Sequence, residues 1–455
     1  MSVRPGGKLR WLVVFSAVLV VPACLTAAAD VPGAAAATAM KVSKSPATLG
    51  IHDGAINRCD GNGKVPQPAG LPRAAAAGTS FSSPLWSGLG VTTVRYSAPW
   101  DIADPAANPS KTAQQALKVN EECLAAWLIY AHRAKPAITR VEIAFKPDAY
   151  YKRTARGTTK KTASVPSLNV YQRAVRQFLA TFTCGAPACP DKVAIKGLPG
   201  AANGALGQPM APVTIIAPWG EPDYGRSVYE MPSGGRNDTF DNPACSRRAT
   251  AATCGPELAA DMYNYVKQQC TACAHVIAGD FGSGASARAG QTFAAGQKLG
   301  NYLRVYYRYL RHASGVTDWG LHPYGDVETA QLRYHQDAHP AAPPRTGTRV
   351  YSYAAALKHL NPHGSTKIHI WLDEISSFNG TGQGNNPGAQ FTRLSQAYGA
   401  QFLFDTLVKD VPSHGPAVTN IYYLNFSGPG SPNAELISPP ATAYPVYSVF
   451  VAASR

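Results

Sequence analysis

Two glutamates stand at the ends of short apolar runs, where a strand would open into a loop. The first run, residues 213–224, reads VTIIAPWGEPDY, and its β-branched stretch is broken by Gly and Pro on either side of Glu221. The second, residues 367–377, reads KIHIWLDEISS, and its alternating apolar residues lead to Glu374. A continuous apolar run is typical of a buried parallel strand, which a Gly/Pro cluster then ends. If both runs belong to one parallel barrel, both carboxylates project from the same rim.

Most glycosidases need two carboxyl groups that face each other across a cleft to cleave a glycosidic bond. One carboxyl protonates the departing oxygen, while the other attacks the anomeric carbon or activates a water molecule. Retention of configuration needs carboxyl groups about 5 to 5.5 Å apart, against about 6.5 to 9.5 Å for inversion. A lone Glu at a strand end is more often structural. Two such residues at matching places on two strands favour catalysis.

The motifs around the two glutamates resemble those of the retaining glycoside hydrolases of clan A. The run PWGEPDY resembles their fourth-strand acid/base motif, and IWLDE resembles their seventh-strand nucleophile motif. The run 319–324, WGLHPY, resembles the sixth strand, where a His and a Tyr two residues apart face the site. The resemblance extends from about Leu49 to Phe426 and is loosely to the β-xylosidase-like and endo-glycanase-like members. It implies a (β/α)8 barrel with long loop insertions, with Glu221 as acid/base and Glu374 as nucleophile.

The resemblance also implies roles for residues at other strand ends. Clan A enzymes place an Arg on the second strand near the nucleophile, and Arg95 matches that position. A neighbouring Arg keeps a carboxylate ionised, as a nucleophile requires; a buried structural ion pair is the alternative. His322 would orient Glu221 or bind sugar hydroxyls, unless it is a satisfied core histidine, and Tyr324 would donate a hydrogen bond to Glu374. The predicted substrate-binding residues are Arg95, Trp100, Trp219, Asp280, His322, Tyr324 and Asn425.

Aromatic side chains near the motifs are candidates for stacking on sugar faces. Trp219, two residues before Glu221, is the best placed, and Trp100 follows the second predicted strand. Trp371 lies three residues before Glu374, so strict alternation along a strand would turn it toward the helix layer. The sequence therefore predicts a stacking role for Trp219 and a packing role for Trp371.

One position departs from the clan A pattern. Members of the clan usually have Asn directly before the acid/base Glu, where its amide binds the 2-hydroxyl of the substrate, and this chain has Gly220. Hydrogen bonds to the 2-hydroxyl supply several kcal/mol in the transition state. The departure leaves three interpretations open: an unusual substrate, replacement by another polar residue such as Asn425, or a barrel that binds glycan without cleaving it.

The first residues of the chain have the character of an export signal. A basic start, MSVRPGGKLR, precedes the apolar run Trp11 to Ala23, which is short for a membrane span. We expect residues 1–29 to be a signal peptide, with lipidation at Cys24 and membrane attachment as the alternative. Residues 30–45, rich in Ala and without periodicity, are predicted to be a disordered linker, and residues 46–455 the catalytic domain. The protein would then be secreted or held at the cell surface.

The net charge and the cysteine content indicate which partners the protein could bind and in which compartment it would fold. The formal charge is +15, and 39 basic against 27 acidic residues remain beyond the predicted signal peptide, so the mature surface would attract an anionic wall polymer. We expect no nucleic-acid partner, no cofactor, no metal and a monomer. Eight of the nine cysteines lie beyond the signal peptide, and in an exported chain that even number favours disulfides over metal thiolates. Pairing nearest neighbours, one of many connectivities, gives Cys59–Cys123, Cys184–Cys189, Cys245–Cys254 and Cys270–Cys273.

Strand and helix patterns alternate eight times without a break in composition, which favours one (β/α)8 TIM barrel. Besides the two runs that carry the glutamates, the predicted strands are 47–56, 91–96, 141–145, 275–281, 319–324 and 420–426. The predicted helices are 121–135, 170–182, 256–269 with Pro256 in its first turn, 301–311, 353–360, a helix within 384–410, and 441–453. The charged run 152–161 has no apolar face and is predicted to be a solvated loop, or, if functional, a cationic lip for an acidic glycan.

Other chemistries have less support. The chain has neither a G-x-S-x-G elbow nor an H-E-x-x-H helix, which argues against a serine esterase and a zinc peptidase. His335 and His339 could ligate a metal, but they lie in a polar stretch where a solvated loop is expected. The predicted function is an exported retaining glycoside hydrolase that cleaves O-glycosidic bonds of a polysaccharide or oligosaccharide by double displacement. The alternative is a catalytically silent carbohydrate-binding protein of the cell wall.

Overall fold

The fold is built around a ring of parallel strands. The computed structural model describes residues 43–52, 73–108, 111–146, 152–155, 158–161, 166–202, 204, 206–222, 251–282, 299–336, 348–381, 390–426, 435–438 and 442–455. All of these residues belong to one compact unit. The barrel strands are β1 Thr48–His52, β2 Thr93–Pro99, β3 Arg140–Lys146, β4 Val213–Ala217, β5 His275–Val276 with Ala278–Phe281, β6 Asp318–Leu321, β7 His369–Ile375 and β8 Ala417–Leu424. Each is rich in β-branched or apolar residues, as strands buried on both faces are.

The fifth strand closes the ring. Neighbouring strands pair in parallel from β1 to β4, and from β6 through β8 back to β1. The first segment of β5 pairs with β4, where Ile215 faces His275, and the second pairs with β6, where Ala278 faces Trp319. Gly279, within the second segment, has a φ of 86°, a left-handed backbone conformation that glycine adopts without strain. The predicted TIM barrel is therefore confirmed by the strand order.

An apolar cluster fills part of the barrel interior. Its members come from five strands and are Ala144, Ile215, Ala217, Ile277, Trp371 and Tyr422. The prediction that Trp371 faces the helix layer is wrong, because this ring packs inside the barrel and its Nε1 donates to Asp318 Oδ1 at 3.1 Å. The register of β7 against β8 is irregular between Leu372 and Ile375, so alternation counted backward from Glu374 does not give the direction of earlier side chains.

Helices cover the outside of the barrel. They are α1 Arg73–Ala77, α2 Lys111–Arg133, α3 Leu168–Phe182, α4 Ala251–Gln269, α5 Leu299–Tyr309, α6 Tyr324–Gln336, α7 Arg349–Leu360, α8 Arg393–Asp405 and α9 Pro445–Ser454. Helix α3 shows why they pack there: Tyr171, Val175 and Phe178 recur at helical spacing, and all three are fully buried. The seven predicted helices correspond to α2 to α5 and α7 to α9, with ends that differ by several residues. The prediction that Pro256 opens its helix is wrong, because α4 begins at Ala251.

The charged run after β3 is not the loop that its composition predicted. Segments Lys152–Ala155 and Thr158–Lys161 form an antiparallel pair of strands. Thr154, Thr158 and Thr159 have a high strand propensity, which favours pairing even in a segment without an apolar face. Whether this hairpin acts as a cationic lip stays a prediction, because the side chains of the run lie outside the described part of the structure.

Two of the predicted disulfides are present. Cys184 joins Cys189 and Cys270 joins Cys273, with Cα atoms 5.8 and 5.4 Å apart. Cys123 is also disulfide-bonded. Its pairing with Cys59 stays a prediction because Cys59 lies outside the described residues, as do Cys245 and the side chain of Cys254.

The proposed signal peptide lies outside the described residues, and only the last three residues of the proposed linker are described. Of these, Ser45 is buried, and its backbone nitrogen donates to the carbonyl of Ala453 at 2.9 Å. The domain boundaries stay predictions. Across the described ranges, no helix combines the length and the hydropathy that a membrane span requires.

Candidate active site

Three strand ends carry non-glycine residues in a left-handed backbone conformation. Glu221 follows β4 with a φ of 53°, Asp280 lies in β5 with 51°, and Asn425 follows β8 with 66°. Such a conformation costs on the order of 1 to 3 kcal/mol and is concentrated at functional sites. Backbone bonds between neighbouring strands hold it: the nitrogen of Glu221 donates to the carbonyl of Asp280 at 2.8 Å, and that of Asn425 donates to the carbonyl of His52 at 2.9 Å.

Glu374, near the end of β7, is held by donors on both carboxylate oxygens. Arg95 Nη1 donates to Oε2 at 3.0 Å, and Tyr324 Oη donates to Oε1 at 2.8 Å. His52 Nδ1 lies 3.3 Å from Oε2. Burial alone would raise the pKa of Glu374, but the contacts with His52, His322 and Arg95 hold it well below its usual range. The carboxylate is thus ionised, and 25% of the side chain is exposed.

Glu221 lies at the end of β4 beside His322. His322 Nδ1 is 3.1 Å from Glu221 Oε1, and 21% of the Glu221 side chain is exposed. Gly282 stands close by, since a Cβ added there would come within 3.0 Å of the same oxygen. The carboxyl group of Glu221 therefore has one buried partner and one accessible side.

Arg95, in the middle of β2, connects the strands around the site. Its Nε donates to Glu142 Oε1 at 2.8 Å, and its Nη2 donates to Asp280 Oδ2 at 2.8 Å. Its Nη1 also lies 3.1 Å from His52 Nδ1. Arg95 is fully buried, so these bonds replace its lost hydration. The predicted contact with Glu374 is present, and the alternative of a structural ion pair holds as well, because the same guanidinium bonds Glu142.

Sequence reasoning did not assign roles to three buried acids and bases of this site. His52 ends β1, Glu142 lies within β3, and Asp373 directly precedes Glu374. Burial raises the pKa of Glu142 to about 7, against the opposing effect of Arg95. Burial, together with the charges of Glu142 and Asp280, raises the pKa of Asp373 well above its ordinary value. A charged residue inside an otherwise apolar strand was the available signal for both acids.

His322 and Tyr324 both face the site, but they do not share a strand as the sequence predicted. Strand β6 ends at Leu321, and Tyr324 is the first residue of α6. The backbone nitrogen of His322 still donates to the carbonyl of Phe281, at 2.8 Å. The two side chains therefore reach the site from a strand end and from a helix start.

The expectation of a solvated loop near His335 and His339 is corrected in part, since α6 extends to Gln336 and the residues after it lie outside the described ranges.

The tryptophans predicted to stack on sugar are buried. Trp100 and Trp219 expose 1% and 2% of their surfaces. Both rings lie near Tyr171 of α3, with centroids 6.5 and 6.3 Å from its ring. Their faces are thus occupied by the outer core, and a stacking role stays a prediction that this burial does not favour.

Gly220 is matched to Asp280. A Cβ added at Gly220 would come within 3.3 Å of Asp280 Oδ2 and 3.5 Å of the carbonyl of Phe145. A side chain at this position would require the Asp280 carboxylate, which binds Arg95, to shift by a few tenths of an ångström. The buried carboxylate therefore favours glycine at position 220.

Asn425 lies beside β1 and has a spare donor. Its side chain is 3% exposed, and Nδ2 has no hydrogen-bond partner among the described residues. A buried amide nitrogen without a partner is costly and calls for an explanation. A substrate hydroxyl would supply the missing acceptor.

Comparisons with known proteins bear on the fold only. No model of a known protein family matches the chain, and a search of curated protein sequences finds no match either. Among solved structures, the chain is similar to GH5_18 from Streptomyces cattleya in complex with GlcNAc, with 12% identity and a TM-score of 0.49 over 91% of this chain and 80% of that one.

Two further structures resemble the chain to a similar extent. A GH30 endoxylanase from Clostridium papyrosolvens C71 has 11% identity and a TM-score of 0.42, covering 90% of this chain and 72% of that one. The exo-beta-1,4-mannosidase Op5Man5 from Opitutaceae bacterium strain TAV5 has 12% identity and a TM-score of 0.40, covering 89% and 58%. At these identities and scores the likeness transfers neither activity nor family membership, and the barrel assignment rests on the strand order described above.

Proposed function

We propose that this protein is an exported retaining glycoside hydrolase that cleaves O-glycosidic bonds of a polysaccharide or oligosaccharide by double displacement. One observation carries the proposal: of the acids in the site, Glu221 and Glu374 are partly exposed, at 21% and 25%, whereas Glu142, Asp280 and Asp373 are fully buried. Substrate can thus reach the two carboxyl groups that the chemistry requires. The contacts with His52, His322 and Arg95 also keep Glu374 ionised, as a nucleophile requires.

The proposed reaction has two steps. In the first, a Glu374 oxygen attacks the anomeric carbon, the bond to the leaving oxygen breaks, and that oxygen takes a proton from Glu221. In the second, Glu221 takes a proton from water, whose oxygen displaces Glu374 from the anomeric carbon. Arg95 and Tyr324 support the nucleophile because they keep Glu374 ionised and fix its orientation.

The test is hydrolysis of a panel of aryl glycosides and polysaccharides. We expect Glu221→Gln and Glu374→Gln each to lower kcat by about 1,000-fold or more. Glu122→Gln, on the half-exposed face of α2, is the matched control and should leave kcat unchanged. A 2-deoxy-2-fluoro aryl glycoside should leave a covalent sugar on the peptide that contains Glu374. Net inversion at the anomeric carbon, followed by NMR, would exclude Glu374 as the nucleophile.

Gly220 supports a second candidate, a carbohydrate-binding protein of the wall without catalysis, because the site lacks the Asn that clan A members use on the substrate. This candidate requires that polysaccharide binds to the wild type while no glycoside in the panel is cleaved. Hydrolysis that both Gln variants abolish excludes it. Titration calorimetry with soluble polysaccharides measures binding independently of turnover.

Export is part of the proposal. It rests on the apolar run Trp11 to Ala23 and on disulfides that persist in an oxidising compartment. Expression with the natural leader should release into the medium a protein whose new N-terminus lies near residue 30. Labelling with a lipid precursor at Cys24 would instead support attachment to a membrane. We propose a monomer with affinity for an anionic wall polymer, which binding to wall preparations at low and high salt would test.

A further inference from the structure

Asp280 lies between the two proposed catalytic carboxyls without access to substrate. It is fully buried, which does not favour the substrate-binding role that the sequence predicted for it. Oδ1 lies 2.6 Å from His322 Nε2, and Oδ2 accepts from Arg95 Nη2 at 2.8 Å. His322 in turn contacts Glu221, and Arg95 contacts Glu374. One buried carboxylate thereby joins the partners of both catalytic groups.

The geometry around His322 favours its protonated form. Both ring nitrogens lie within hydrogen-bond distance of carboxyl oxygens, Nδ1 at 3.1 Å from Glu221 and Nε2 at 2.6 Å from Asp280. An ionised Asp280 only accepts hydrogen bonds, so His322 Nε2 donates to it, and Nδ1 can donate to an acceptor oxygen of Glu221 in either of that carboxyl group's protonation states. Burial would lower the pKa of His322, but Asp280, Glu221 and Glu374 raise it to about 10. The contacts and the raised pKa together favour a buried imidazolium.

The charges that face Asp280 favour its ionised form. Burial would raise its pKa, but Arg95 and His322 lower it to about 2. Asp373 and Glu142 are the other titratable groups near it, and the raised pKa of Asp373 makes that group a neutral acid. A protonated Asp373 adds no negative charge beside Asp280.

We propose that Asp280 is a positioning residue that holds His322 as a fixed cation against Glu221 while it holds Arg95 against Glu374. This inference rests on the proposed function and adds a residue to it. The cation matters at the moment of proton donation. As the O–H bond of Glu221 breaks and the leaving oxygen gains that proton, a carboxylate forms beside the imidazolium, which stabilises the developing charge and keeps both of its own protons.

The first test follows the imidazole and does not need activity. Histidine labelled with ¹⁵N should show both ring nitrogens of His322 protonated at pH 8 in the wild type, with the signal assigned by its loss in His322→Gln. In Asp280→Asn the ring should be neutral at that pH. Glu142→Gln is the matched variant, because it removes a different Arg95 partner and should leave the imidazolium in place. A neutral His322 in the wild type overturns the inference, even if Asp280→Asn does not fold.

The second test uses aryl glycosides whose leaving groups differ in basicity. In Asp280→Asn we expect kcat/KM to fall about 20-fold or more further for the most basic leaving groups than for 2,4-dinitrophenol, which leaves without a proton and reports only the loss that acts through Arg95 and Glu374. Glu142→Gln should lower kcat/KM by a similar factor for every leaving group. A uniform loss in Asp280→Asn overturns the inference. If the wild type contains the imidazolium but hydrolyses no glycoside, the result overturns the proposed function and, with it, the positioning role of Asp280 in catalysis.

Discussion

Arg95 and Tyr324 both donate hydrogen bonds to Glu374, the proposed nucleophile. The guanidinium and the phenol each bond a different oxygen of the carboxylate, so both its charge and its orientation are fixed before substrate arrives. Burial, and then the charge of Glu374, raise the pKa of Tyr324 well above its ordinary value, so the phenol keeps its proton and donates. At this scale, the proposed activity depends on single hydrogen bonds.

Removing the phenol donor tests this account. In Tyr324→Phe we expect kcat to fall about 10- to 100-fold, because Glu374 loses the donor that bonds its Oε1. The acid limb of the profile of kcat/KM against pH should move to higher pH, since a lost donor raises the pKa of the carboxylate. Tyr334→Phe is the control, as that ring stacks on Tyr398 with centroids 4.6 Å apart. An unshifted acid limb would contradict the role of Tyr324.

Asn425 gives a second residue-scale prediction. Because its Nδ2 lacks a partner among the described residues, we expect it to donate to a substrate hydroxyl. Asn425→Ala should lower kcat/KM about 10- to 100-fold for the natural sugar configuration. The loss should be much smaller with a deoxy substrate that lacks the contacted hydroxyl. Equal losses for both substrates would place Asn425 in the packing of the barrel alone.

At the scale of elements, β6 and β7 are packed around a buried acid. A Cβ at Gly320 of β6 would overlap the carboxylate of Asp373 in β7 and come within 2.7 Å of the Asp280 Cα. The strands can lie this close because residue 320 has no side chain. The buried Asp373 and Asp280 thus require a glycine at position 320 of β6.

Gly320→Ala should therefore destabilise the barrel. The clash is with backbone as well as with a side chain, so relief requires strand movement, and we expect a loss of about 1 to 3 kcal/mol in the free energy of unfolding. Urea titration followed by circular dichroism measures it. Gly315→Ala is the control, because no atom lies within 4 Å of the added Cβ there. A neutral Gly320→Ala would mean that Asp373 can leave its position freely.

At the scale of the whole molecule, the buried charges make stability depend on pH. His322 has a folded pKa of about 10 against an ordinary 6.5, so its contribution is complete below pH 6.5 and is lost as the pH rises through 10. Folding raises the pKa of Glu142 from 4.5 to about 7, so the folded state holds its proton more tightly than the unfolded state. Its contribution to stability is therefore also lost as the pH rises, between 4.5 and 7. Asp280, lowered to about 2, loses its contribution only below its ordinary 3.8.

We therefore expect maximal stability near pH 4 to 5 and a declining Tm toward pH 10. His322→Gln should be less stable overall, because it leaves Asp280 with a buried charge and one fewer partner, but its Tm should change less between pH 7 and 10. Thermal unfolding by calorimetry across this range measures both curves. A wild-type Tm that rises from pH 7 to 10 would contradict the assignment of charges.

The sequence by itself determined the barrel and the positions of the two accessible glutamates. Both follow from local patterns: apolar runs of strand length, helical spacing between them, and Gly or Pro where a run ends. The pairing of close cysteines was also local, and the bridges Cys184–Cys189 and Cys270–Cys273 followed from it.

Only the tertiary structure decided how the charges are connected. Arg95 meets Glu142, Asp280 and Glu374, which lie 47, 185 and 279 residues away along the chain. Strand alternation could not indicate these contacts, because an irregular register in β7 and left-handed strand ends redirect the side chains. A local pattern records which residues are apolar, whereas the protonation and partners of a buried acid depend on groups that only the closed barrel brings together.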